Sequence, residues 1–237
     1  MRIFYQFIHR WGLTFRTSAG DSWHSYRDLG LLPASPPDFG MPKVKAELVE
    51  IPGMDGALDL TEAFGVPRYG TRPGSFTYYL PSRYEAEQDA LHAAAANLLH
   101  GKVWQITPDE SPDAYYSGRL AVGPIVRSPG SLPTFTITGD LDPFRDLPDT
   151  DDEFEIDGYH NTVTVTSTPL GGTPRFYNDS GELMLLTADN TEYQIPTGAW
   201  TELDGVELPR AAQAVTWDVS CPGGSGTLTV RFTRGIF

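Results

Sequence analysis

The carboxylates are the residues of this chain best suited to chemistry, and six crowd into one run: Asp149, Asp151, Asp152, Glu153, Glu155 and Asp157. Alternating oxygen ligands bind calcium in an EF-hand loop, which needs a glycine at the sixth position and a glutamate at the twelfth. Counted from Asp149, the sixth position is Phe154, so the pattern fails and the run reads as solvated linker. Glycoside hydrolysis needs two carboxyls facing across a cleft, one with a raised pKa. No local signature marks such a pair. Of the histidines His9, His24, His92, His100 and His160, none shows His-x-x-x-His or Cys-His spacing. His92 and His100 fall two turns apart on a predicted helix and cannot share a metal. All five read as surface or capping residues. Gly223-Gly224-Ser225-Gly226 lacks the lysine of a phosphate loop and reads as a hairpin turn, and no Gly-x-Ser-x-Gly elbow occurs.

Cys221 is the single cysteine. It allows no intrachain disulfide, and with no basic neighbour in sequence it is expected to be a small buried apolar residue. These readings call for no catalytic residue, no metal and no cofactor. The aromatic residues Phe176, Tyr177, Tyr193, Trp200 and Trp217 of the second half read mainly as core. Trp200 follows Gly198-Ala199 in what reads as a loop, and is the candidate for stacking on a glycan.

The elements that must position these residues are mostly short strands. The chain has 237 residues, with 24 glycines and 20 prolines spread along it, which favours strands joined by turns in one or two domains. Its formal net charge of −14 argues against tight nucleic-acid binding and against docking on an anionic membrane. Met1–Ile8 is too short for a signal-peptide core, and no stretch has the length of a membrane span, so synthesis and folding in a cytoplasm are expected.

Residues 3–8 and 13–17 read as strands, and Ser18 to Pro42 as turn-rich. Lys43 to Ile51 alternates like a half-buried strand, with Val44, Ala46 and Leu48 on one face. Pro52-Gly53 and Asp55-Gly56 then mark a turn, and Ser75 to Leu80 is a stronger strand. One helix is predicted from about Arg83 to His100, with Ser82 and Glu85 as a capping box and Gly101 at the C′ position. Its inward side is expected to carry Tyr84, Leu91, Ala94, Ala95 and Leu98. Lys102–Ile106 and Tyr115–Val122 form a hairpin with an exposed acidic tip, and Leu132–Thr138 adds a strand. The acidic, proline-bearing stretch 140–158 reads as the linker between residues 1–140 and 141–237. Beyond it, strands at Asn161–Thr168, Glu182–Ala188, Glu192–Ile195, Ala214–Ser220 and Thr227–Thr233 point to a small β-sandwich.

Several segments in a fixed order carry a family likeness. They are Leu29-Gly30-Leu31, Pro42, Pro52-Gly53-Met54-Asp55-Gly56, Leu58-Asp59-Leu60-Thr61, Tyr69-Gly70, the Phe76 strand, the single helix, Gly101–Ile106, Tyr115–Leu120 and Asp142-Pro143-Phe144. Over residues 29–144 the chain resembles the distal tail proteins of siphophages and prophages. That resemblance implies a mainly β fold: an α+β, tail-tube-like N-terminal domain with one helix, then a galectin-like β-sandwich. It implies a homohexameric ring at the virion tail tip, binding the tail tube protein on one side and a tail-associated hub or fibre protein on the other. DNA passes through the ring, and receptor-binding proteins or adhesins attach. Met54 stands where family members often carry a basic residue. The absence of a long insertion in the second half makes direct sugar binding less expected. Residues Met54, Asp55, Gly56, Asp59, Leu60, Tyr69, Arg72, Asp109 and Asp113 are the ring-interface candidates. The rival reading is a monomeric carbohydrate-binding module.

Overall fold

The computed structural model describes residues 10–63, 65–147 and 151–237. The expected strand at 3–8 and the carboxylate of Asp149 lie outside these residues. The chain divides into two compact units, one of residues 1–145 with Phe237 and one of residues 146–236.

The first unit is built on one antiparallel sheet. Its strands are β1 (Leu13–Arg16), β2 (Ser22–His24), β3 (Leu32–Pro33), β4 (Asp38–Phe39), β7 (Arg72–Tyr79), β8 (Val103–Pro108), β9 (Tyr116–Val122) and β10 (Thr134–Leu141). They run in the order β2-β1-β8-β9-β10-β7-β3, with β4 also on β7. Among the described residues strands β5 (Leu48–Glu50) and β6 (Ala57–Asp59) pair only with each other. Period-two alternation turns Leu13, Phe15, Phe76, Tyr78, Trp104, Ile106, Leu120, Phe135 and Ile137 inward, where they form the core. Trp104 sits at its centre, edge-on to Phe15 and Trp23 at 6.3 and 5.5 Å, and its indole N–H donates to Leu99 O at 3.3 Å.

Helix α1 (Glu85–Leu99) covers this core with Gln88, Ala95 and Leu99. Of the five residues expected to face inward, Ala95 is buried and Leu91 and Leu98 pack against the core, but Tyr84 and Ala94 do not turn inward and are exposed. The capping box does not form either. Tyr84 is the N-cap residue and makes no side-chain cap bond, while Ser82 Oγ accepts the Tyr84 N–H and donates to Glu87 instead. Gln88 Nε2 donates to Ser82 O at 2.8 Å and anchors the approach to the helix. Gly101 follows the helix with φ 74°.

The second unit is a sandwich of two four-stranded sheets. One contains β12 (Asp151–Asp157), β19 (Ser225–Arg231), β14 (Arg175–Asn178) and β17 (Trp200–Glu202), in that order. The other contains β13 (Asn161–Thr166), β18 (Ala214–Ser220), β15 (Met184–Ala188) and β16 (Thr191–Ile195). Strands β11 (Arg145–Leu147) and β20 (Arg234–Ile236) form a separate pair. Ile156, Val163, Phe176, Leu186, Trp217, Val219, Leu228 and Val230 fill the space between the sheets. Cys221 is fully buried among them, as its isolation from basic residues foretold. Asn178 is also fully buried, and its amide donates to Glu182 O and Ile195 O at 2.7 and 2.9 Å while accepting from Ser180.

From Asp151 onward the acidic run is a strand instead of the solvated linker expected. Phe154 and Ile156 turn toward the core and Asp151, Glu153, Glu155 and Asp157 toward solvent, so residues 151–157 make the edge strand β12. The strand at 175–178 was not assigned from the sequence, and the one at 200–202 begins at Trp200, which was read as part of a loop.

Close packing in the first sheet is tightest at Gly118, opposite Leu141. A Cβ there would lie 2.6 Å from Leu141 Cα and would also strike Asp140 O. Both are backbone atoms and cannot swing away. Gly118→Ala is expected to cost about 1–3 kcal/mol in denaturant unfolding, the usual range for overpacking.

Candidate functional site

Residues 43–70 leave the first sheet and return to it as a long two-stranded arm. The base is closed by Gly70 N–H to Lys43 O and Lys45 N–H to Arg68 O, both at 2.8 Å. Further out, Leu60 N–H donates to Glu47 O at 2.8 Å and Glu47 N–H to Thr61 Oγ1 at 3.0 Å. Strands β5 and β6 then pair Leu48 with Asp59, Val49 with Leu58 and Glu50 with Ala57. The tip turns through Met54 N–H to Ile51 O at 3.1 Å, with Gly53 and Gly56 at φ 88° and 83°. Those positive angles explain the two turn glycines in the sequence.

The arm satisfies its backbone and leaves its side chains in water. Every residue from Lys43 to Asp59 is exposed. Leu48 is 61% accessible, and Val44, Val49, Ile51, Met54 and Leu58 are all exposed as well. Lys43–Ile51 was expected to be half-buried; its alternation is real, but the apolar residues meet no core. Val49 and Leu58 face each other across the ribbon on one side, and Leu48 lies on the other. An isolated two-stranded hairpin is at best marginal in water. Contiguous exposed apolar residues on such an element mark an interaction surface.

The interface candidates divide in the structure. Met54, Asp55 and Gly56 lie at the exposed tip, Asp59 on β6, and Leu60 is half-buried at the base. Tyr69 is half-buried, with its ring edge-on to Phe144 and Phe237 at 5.8 and 4.9 Å. Arg72 is corrected: it is 2% accessible and cannot contact another chain. Its guanidinium donates to Pro143 O at 3.1 Å and lies 5.1 Å over the Tyr116 ring. Asp113 is exposed, but Asp109 is half-buried and not at an open tip.

Asp109 is held by His24, whose Nε2 lies 2.9 Å from Asp109 Oδ2. His24 Nδ1 accepts the N–H groups of Tyr26 and Arg27 at 3.2 and 3.1 Å. The ring hydrogen therefore sits on Nε2, which donates to the carboxylate. This histidine is 5% accessible, a buried hydrogen-bonding residue instead of the surface residue expected. Sequence spacing held no signal for it, since its partner lies 85 residues away.

Trp200 lies in strand β17, not in a loop. One face of its ring is covered by the Arg231 guanidinium at 4.3 Å, and Tyr177 packs at 5.4 Å. Among the described residues no group of three or more His, Cys, Asp or Glu side chains is arranged to hold a metal, and no helix is long and apolar enough to cross a membrane.

No protein-family model and no curated protein matches the sequence. Among solved structures the chain is similar to the crystal structure of SPP1 Dit, described as a paradigm of the hub adsorption apparatus in phages that infect Gram-positive hosts. The TM-score is 0.62 at 15% identity, over 95% of this chain and 99% of that one. The chain therefore has a mainly β, Dit-like fold with a single helix among the described residues.

On the base side of β6 the Thr61 hydroxyl and the Thr61 N–H, 2.9 Å from Asp59 Oδ1, hold the Asp59 carboxyl below the usual aspartate range. A depressed folded-state pKa stabilises the folded arm above the unfolded value, and this contribution is lost as pH falls through the folded value. NMR titration is expected to find Asp59 more acidic than free aspartate, and Thr61→Val to move it back up.

Proposed function

We propose that this protein is a structural hub of a phage tail tip, working by assembly and not by catalysis. The observation that carries the proposal is the arm of residues 43–70, whose apolar side chains have no core of their own. The Dit-like fold supports the same reading, since SPP1 Dit is described as belonging to a hub adsorption apparatus. The arm of one copy binds a complementary surface of the next, and a repeated heterologous contact closes into a ring when its rotation divides the circle. Met54, Asp55, Gly56, Leu58 and Asp59 belong to this contact, flanked by Leu60, Tyr69 and Asp113. Six copies, as the family likeness implies, leave a lumen for DNA. The net charge of −14 is compatible with such a conduit, because it disfavours holding passing DNA through phosphate contacts.

The ring joins the tail tube protein to a tail-associated hub or fibre protein, and the galectin-like second unit holds a receptor-binding protein or adhesin. A monomeric carbohydrate-binding module is less well supported, because Arg231 already occupies one face of the Trp200 ring.

Light scattering of concentrated protein tests the assembly. The wild type is expected at the mass of six chains. Val49→Lys with Leu58→Lys is expected to weaken association by at least about tenfold while leaving far-UV dichroism unchanged, because both side chains already face water in the single chain. A wild type that stays monomeric at every concentration, and that is absent from virion tips in micrographs, overturns the reading.

A further inference from the structure

Strands β12 and β13 follow one another in the chain and do not pair. Among the described residues β12 bonds only to β19, and β13 only to β18, so each is the edge of a different sheet. A groove of about 430 Å³ opens between them, lined by Asp152, Phe154, Thr164, Thr166 and Arg234 among others.

Hydrogen bonds around β12 show which backbone groups face that opening. The Asp157 N–H donates to Asn161 Oδ1 at 3.4 Å, and its carbonyl accepts from Asn161 Nδ2 at 3.3 Å, so both point away from β19. Antiparallel residues alternate between exchanging two bonds with the partner and exchanging none. Glu155 and Glu153, in phase with Asp157, therefore direct N–H and C=O to the open edge as well. The other side of β19 agrees: Thr227, opposite Glu155, gives its carbonyl to the Asp179 N–H at 3.0 Å and not to β12. Outside the β12–β19 ladder, no backbone bond among the described residues reaches Glu153 or Glu155.

The edge is strongly charged. Asp151 binds Arg231, and Asp152 binds Arg234 at 2.6 Å. Among the described residues Glu153, Glu155 and Asp157 have no cationic partner. Arg234 Nε, in the groove wall, is buried and bonds to nothing among these residues. An unpaired edge is a template for another strand, and charge on it decides which strand is admitted. A second copy of this chain would bring the same carboxylates opposite and be repelled.

We propose that the free edge of β12 takes an extended, lysine- or arginine-rich segment of another protein as an added strand. Backbone bonds to Glu153 and Glu155 supply the affinity, and their carboxylates select basic neighbours. The proposal does not depend on ring formation, and its test leaves the arm intact.

The probes are a decapeptide alternating lysine and valine, its glutamate–valine counterpart, and the lysine–valine peptide N-methylated at alternate residues. The lysine–valine peptide is expected to bind the full chain saturably and to slow amide exchange at Glu153 and Glu155. The acidic and N-methylated peptides are expected to bind at least about tenfold more weakly, the scale of a lost hydrogen bond or a repelled charge. Glu155→Pro removes an outward N–H and no ladder bond, so it is expected to cause a similar loss with unchanged thermal unfolding. Glu155→Gln keeps the backbone and is expected to lose less. If the lysine–valine peptide fails to saturate, if the N-methylated or acidic peptide binds as well, or if Glu155→Pro binds like wild type, the proposal is wrong. Self-association abolished by Glu155→Pro would also overturn it.

Discussion

A two-stranded ribbon can close its own hydrogen bonds but cannot bury its own side chains, and that limit governs how the arm of residues 43–70 must be used. Its bonds of 2.8–3.1 Å leave the backbone satisfied from base to tip. Burial needs a second layer, and the single chain supplies none to Leu48, Val49, Met54 or Leu58. The hydrophobic effect acts in proportion to apolar area removed from water. The free energy left undelivered in one copy is thus available to association. The rest of the first unit follows from keeping that arm in place: a sheet core around Trp104, and aromatic contacts of Tyr69 with Phe144 and Phe237 at the point where the arm returns.

Buried polar groups give both units their definition. Buried donors and acceptors left without partners cost more than ordinary hydrogen bonds return, so most are matched. His24 meets this by accepting two backbone N–H groups and donating to Asp109, which ties the β8–β9 connection to the end of β2. Gly12 makes the tie sterically feasible, because a Cβ there would strike both partners. Asn178 plays the same part in the sandwich, bridging the Glu182 carbonyl and the carbonyl of Ile195 at the end of β16. Arg72 spreads a buried charge over a carbonyl, a phenol and a ring face.

Local signals were legible where their cause was local. The helix, its terminal Gly101, the hairpin at Asp189-Asn190 with φ 49° and 62°, and strand β18 all follow from spacing and turn chemistry. The capping box was misread because Ser82 found a nearer acceptor–donor pair in Tyr84 and Glu87. In the acidic run, carboxylates were weighed above the alternation of Phe154 and Ile156 with polar residues, although alternation is what a half-buried strand requires. Trp200 was placed in a loop because three residues are too few to show a period.

By itself the sequence determined the mainly β class, the helix of residues 85–99, the turn glycines of the arm and the apolar pattern along it, since each depends on residues within a few positions of one another. Tertiary structure alone decided which apolar faces find a core and which remain in water. It buried Arg72 and His24, exposed Leu48 and Val49, and left β12 with an open edge. The physical reason is that burial and pairing are properties of what lies opposite a residue, and here the opposite partner is commonly dozens of positions away in the chain.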